Sequence, residues 1–184
     1  GHPYFRNEKF IPADQIKGFR YGIKWVRGIY FYVALDFHLY FLLHDKQVIP
    51  FTFRCYYGVG KERGHRFYTS LINAVWNRLF VSRVKEMLQQ LNDGSEIEIS
   101  KVRMNSRGVV IIQSGFISDE KVLIPWEEVG TADYATYFVI YSKKDKARIN
   151  CSYRYMDDWN TMVLNGVLRT LLEYSNPSAN DVTK

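Results

Sequence analysis

Apolar and polar positions alternate along most of this chain. Ile16–Trp25 puts Phe19, Tyr21, Ile23 and Trp25 on one face and Arg20 and Lys24 on the other, the period of a half-buried strand. Further strands are predicted over Ile29–Leu43 and Val48–Tyr57, joined by the turn His44–Gln47. A 3.6-residue period then takes over. From about Arg66 to Leu91 the residues Phe67, Leu71, Val75, Leu79, Val84, Leu88 and Leu91 form the inner stripe of a long helix. Asn92–Ser95 reads as a linker. Alternation returns over Glu96–Met104, Val109–Gln113, Lys121–Ile124, Val129–Tyr134, Tyr137–Tyr141 and Ala147–Tyr153. Turn residues lie between them, including Asn105–Gly108, Gly115, Ser118-Asp119 and Lys143–Lys146. Trp159, Met162, Val163, Val167, Leu171 and Leu172 recur at helical spacing. Asp157 or Asp158 is the expected N-cap, since a carboxylate accepts the unpaired amide protons of a first turn. The helix should end near Asn176-Pro177, with a polar, frayed tail over 178–184.

This order of elements occurs twice. Ile11-Pro-Ala-Asp-Gln-Ile16 is echoed by Ile124-Pro-Trp-Glu-Glu-Val129. Tyr40–Lys46 matches Tyr137–Lys143. Phe53–Tyr57 matches Ile149–Tyr153, with Cys55 and Cys151 at equivalent places. Leu71–Val75 matches Val163–Val167 inside each helix. A repeat implies two units, residues 1–92 and 93–184. The first has only ten residues before its Ile-Pro phrase. The second has about thirty, enough for further strands, so the first unit reads as missing its opening strands.

The second copy resembles bacterial pleckstrin-homology-like (PH-like) and YcxB-like modules. It does so through Trp126 in the Ile-Pro phrase, Tyr137-Phe138, the turn Lys143–Lys146 and the final helix from Asp158 to Glu173. The first copy resembles them more weakly. The resemblance implies a mainly β fold, with tandem β-barrel or sandwich units each closed by a C-terminal helix. Pro12, Pro125, Trp126, Asp158 and Trp159 read as structural: Trp126 behind Pro125 would plug the barrel end against the helix, while the first copy, with Ala13 at the matching place, closes differently or uses Trp25 or Trp76, the latter also placed to pack between the copies. The resemblance also implies an upstream segment carrying the missing strands or membrane helices, as expected for a chain that opens without Met. The setting would be cytoplasmic, or the cytoplasmic face of a membrane.

Composition narrows the functional classes. Of 184 residues, 47% are hydrophobic and 16% aromatic, which favours a globular, strand-rich protein. No apolar run spans a membrane. Two cysteines are too few for a disulfide scaffold. His2, His38, His44 and His65 form no metal-ligand spacing, so no metal and no cofactor is expected. No catalytic motif is present. Glu127 and Glu128 would point to opposite faces of a strand, and Asp157-Asp158 is explained by capping. The net charge of +6 is uneven. Residues 1–95 carry 14 Lys and Arg against 7 Asp and Glu, while residues 96–184 carry 11 against 12.

The candidate anion- or lipid-binding residues therefore lie in the first unit. Arg20, Lys24 and Arg27 are interleaved with aromatics. Lys61, Arg63 and Arg66 flank the glycine-rich Gly58–Gly64, where backbone amides could meet an anion. That segment is not a P-loop. The expected function is a non-enzymatic interaction or adaptor module for a protein, a peptide or an anionic lipid surface. Nucleic acid is disfavoured, because no RNP-like motif accompanies the basic residues. The rival readings are a small-ligand binder or enzyme using a cleft between the units, and a structural domain that oligomerises through open sheet edges.

Overall fold

The computed structural model describes residues 11–58, 60–114 and 119–175. The alternating segments form strands β1 (Ile16–Arg27), β2 (Tyr32–Leu43) and β3 (Val48–Tyr56), an antiparallel sheet in chain order. Its inner face buries Phe19, Leu35, Phe37 and Leu39. A long helical element covers that face: α1 (Lys61–Val75), a five-residue π segment (Trp76–Phe80) and α2 (Val81–Asn92). Strands β4 (Ile97–Ile99), β5 (Val102–Asn105), β6 (Gly108–Ser114) and β7 (Asp119–Pro125) form a four-stranded sheet. Strands β8 (Val129–Asp133), β9 (Tyr137–Ser142) and β10 (Asn150–Arg154) form a third sheet, followed by α3 (Thr161–Ser175). The fold is mainly β. The sheets are open, and among the described residues they close no barrel. At Pro125 a 3-10 turn carries the chain out of one sheet and into the next.

The two Ile-Pro phrases share one local geometry. Pro12 and Pro125 sit at ψ 140° and 148°, each followed by a three-residue 3-10 turn and a strand. In both, the amide at the far end of the hairpin returns to the turn: His44 N donates to the Gln15 carbonyl (3.0 Å) and Lys143 N to that of Glu128 (2.7 Å). These bonds put Leu43 opposite Ile16 and Ser142 opposite Val129. The sequence match of Tyr40 with Tyr137 is therefore out by two residues. The cysteines are not equivalent either. Cys55 pairs with Leu35, far from the turn, and Cys151 with Ile140, close to it. The shared order lies in topology; register is not kept.

Several boundaries differ from the sequence reading for identifiable reasons. Glu96–Met104 is two strands, because Ser100 (φ 52°) and Lys101 (φ 68°) make a two-residue turn of left-handed residues without the usual Asn-Gly. Residues 29–31 are a hairpin tip, and β2 starts at Tyr32. The long helix starts at Lys61, before the expected Arg66. It takes in Gly64, whose missing Cβ lets the helix lie against the Cys55 thiol. The buried stripe is Tyr68, Ile72, Val75, Phe80, Val84 and Leu91, with Phe67 exposed. The π segment adds a residue to the turn after Val75 and resets the phase. α3 begins at Thr161, so neither Asp157 nor Asp158 caps it. Asp158 instead accepts the Arg154 amide (3.0 Å), closing the turn between β10 and α3. The expected turn at Gly115 and Ser118 and the tail after Ser175 lie outside the described residues.

The halves are joined along the outer edge of β1. Phe19 N donates to Asn160 Oδ1 (3.0 Å). Asn160 N donates to the Phe19 carbonyl (2.9 Å), and Tyr21 N to that of Tyr155 (2.9 Å). Gly18 and Gly22 share one face of β1 and make room. A Cβ at Gly18 would stand 2.8 Å from the Asn160 amide group, and one at Gly22 would stand 2.8 Å from Met156 Cβ. Trp76 packs over Gly166 of α3. Trp126 donates to the Asn105 carbonyl (2.9 Å), tying its turn to the β5–β6 hairpin. Buried residues of both halves form one apolar cluster.

Candidate functional site

The most unusual surface is the end of the first sheet where β1 turns into β2. Alternation continues up to Trp25, but among the described residues no helix or loop covers the strands there. Ile29, Tyr30 and Phe31 at the tip are 86%, 89% and 69% exposed. Trp25, Tyr32, Tyr56 and Tyr57 beside them are also exposed. Trp25 packs on Tyr32 (5.4 Å between ring centroids) and on Tyr57 (6.0 Å). Single exposed apolar residues are common on soluble proteins; a cluster of neighbouring ones is less so.

Cations ring this end. Lys24 and Arg27 are exposed. Lys61 Nζ lies over the Tyr57 ring (4.7 Å) and farther over Trp25 (6.0 Å), so its charge sits among the aromatics. Gly60, in the left-handed region at φ 73°, starts α1 with no side-chain cap. Arg63 and Arg66 are exposed on the face of α1 away from its buried stripe and form no ion pair among the described residues. Arg20 is separate from this group. Its guanidinium lies between Trp159 (4.6 Å) and Tyr40 (5.0 Å) and donates to the Asp157 carbonyl (3.1 Å). It serves as an internal clamp between the halves. Of the six basic residues singled out by sequence, the structure gathers Lys24, Arg27 and Lys61 at the tip, leaves Arg63 and Arg66 on the flanking helix, and commits Arg20 elsewhere.

The outer face of the sheet is more ordinary. Arg54 and Asp36 form a bidentate pair (2.5 and 2.7 Å). That hydrogen-bonded pairing holds the Asp36 carboxyl below its usual range. Burial, followed by the charge of Lys24, lowers the His38 imidazole. Among the described residues, no group of three His, Cys, Asp or Glu could hold a metal ion. Glu128 binds Ser142 (3.1 Å) and Lys144 (3.7 Å), while Glu127 is exposed, so the two carboxylates share no site.

A second concave region lies between the halves. A cleft of about 680 Å³ runs from Tyr21–Trp25 of β1 to residues 135–137 and 154–157, with His65 and Tyr68 of α1 along one side. Next to it is a polar knot that sequence reasoning missed. Tyr155 donates to Asp133 (2.7 Å), and Asn165 Nδ2 donates to Asp133 (3.2 Å) and to the Tyr155 hydroxyl (2.9 Å). Tyr21 stacks on Tyr155 at 5.6 Å. Burial and the nearby Asp133 charge push the Tyr21 phenol up to about 12. Burial raises Tyr68 and Tyr155 as well. The one available signal was the Asn shared by the two helix matches, Asn73 and Asn165. Only Asn165 is buried; Asn73 is exposed.

No family model, curated protein or solved structure matches the chain. No helix among the described residues is long and apolar enough to cross a membrane.

Proposed function

We propose that this protein is a non-enzymatic docking module, built from two PH-like units, that seats the projecting end of its first sheet in an anionic membrane surface. The observation that carries the reading is the exposed tip of Ile29, Tyr30 and Phe31, with Lys24, Arg27 and Lys61 around it. Apolar side chains gain by leaving water, and amphipathic rings such as Trp25 and Tyr57 suit the headgroup layer. Each basic residue near an anionic leaflet adds roughly 1 kcal/mol. Arg63 and Arg66 contribute from the flank, and Arg20 does not. The cytoplasmic face of a membrane, with its anionic lipids, fits this chemistry.

Co-sedimentation with phosphatidylcholine vesicles, with and without phosphatidylserine, tests the proposal. Binding should appear with the anionic lipid and weaken as salt rises. Binding indifferent to both, or no binding, would refute it.

A further inference from the structure

β1 is an edge strand whose outer edge is used over only part of its length. The second half takes the backbone groups of Phe19 and the amide of Tyr21. In an antiparallel sheet every second residue directs its N–H and C=O to the same edge, so the next in line are Ile23 and Trp25. Among the described residues, neither has a backbone partner on that side. Both line the 680 Å³ cleft, a volume typical of ligand sites.

We infer that this cleft takes an extended peptide segment, which adds to β1 as a strand at Ile23 and Trp25. The unpaired donors and acceptors recur at the two-residue period of a strand, which matches an extended backbone. The cleft also has two unlike sides. Toward α1 it presents Ile23, Leu35 and Tyr68; away from it lie Lys24, Arg154 and Asp157. A peptide of alternating apolar and polar residues meets both, and because Arg154 pairs with Asp157 (3.5 Å) the remaining charge of Lys24 favours an acidic residue on the polar side. The molecule already uses this edge once, because Tyr155 and Asn160 pair with β1 in the positions just before. The inference goes beyond membrane docking and does not depend on it: the tip and the cleft share only Trp25 and Lys24.

The test uses the whole chain without lipid. A displayed library of random short peptides is panned against it, and the most enriched peptide is synthesised and labelled. Its sequence should alternate apolar and polar residues, and its binding should slow amide exchange at Ile23 and Trp25. Ile23→Pro removes one outward N–H at an edge position where proline is tolerated. It should weaken the peptide by about tenfold, the worth of one backbone hydrogen bond with its alignment. Thr136→Trp, which fills the cleft from the opposite wall, should give a similar loss if Ile23→Pro lowers the melting temperature. The inference is overturned if no peptide is enriched, if the enriched peptide binds both variants as it binds the parent, or if exchange slows only outside β1.

Discussion

The two three-stranded sheets share an order and differ in reach. β1, β2 and β3 run 12, 12 and 9 residues, while β8, β9 and β10 run 5, 6 and 5. At about 3.3 Å per residue, the seven extra residues of β1 over β8 carry the first hairpin some 20 Å farther. The shorter hairpin ends on a Tyr134–Tyr137 stack (4.7 Å) beside the Asp133–Tyr155–Asn165 knot. The longer one ends in exposed apolar residues ringed by cations. One topology thus gives a short hairpin with one exposed ring at its tip, Tyr134, and a long hairpin with a cluster of them, and the long one is proposed to meet the membrane.

Exchanging the character of the tips gives the largest expected effect. Ile29→Ser, Tyr30→Ser and Phe31→Ser together should weaken binding to anionic vesicles by about a hundredfold or more, since burying each side chain is worth about 1.5–3 kcal/mol. Thermal stability should hold, because these residues are largely exposed. Tyr134→Ser in the short hairpin should leave vesicle binding alone and lower stability.

Next in size is the seam between the halves. Gly22→Val drives a side chain into Met156 and should cost about 1–3 kcal/mol by urea titration. An unchanged midpoint would mean that the seam gives way freely.

Charge reversal at the longer tip is smaller. Lys24→Glu and Arg27→Glu should each reduce vesicle affinity by roughly fivefold or more at low salt, an effect that added salt erases.

The smallest effect is alkaline. Tyr21 titrates near 12 when folded, against about 10 when unfolded. Its share of stability is therefore complete below about pH 10 and is lost as pH rises toward 12. Tyr21→Phe should flatten that decline in urea midpoints, though only in part, because Tyr68 and Tyr155 are raised too. An alkaline limb identical to the parent's would show that Tyr21 is not held neutral.

Much of this comparison was legible in sequence. The Ile-Pro phrases marked the same 3-10 turn and strand entry in both halves, because proline's fixed φ and an aliphatic strand start are local properties. Strand and helix periods located most elements for the same reason. What escaped depended on neighbours distant in the chain. Ile29–Phe31 extend the apolar run that opens β2, and it is the chain reversal, closed by Gly28 N donating to the Phe31 carbonyl (2.7 Å), that makes them a tip. Arg20 and Lys24 look alike on one strand face, yet Trp159, some 140 positions away, claims Arg20 alone. The π segment and the Ser100-Lys101 turn carry no residue signature, so helix phase and strand break were misread. The Asp133–Tyr155–Asn165 knot assembles from three elements that share no local pattern.

Whether the first hairpin, and not the second, enters the membrane can be read from fluorescence quenching with brominated phospholipids. Trp25 is exposed at the tip, whereas Trp76, Trp126 and Trp159 are half-buried within the molecule. In phosphatidylserine-containing vesicles the brominated lipid should quench the parent, and Trp25→Phe should abolish most of that quenching. Quenching that survives Trp25→Phe, or that never appears while the protein co-sediments, would contradict the account.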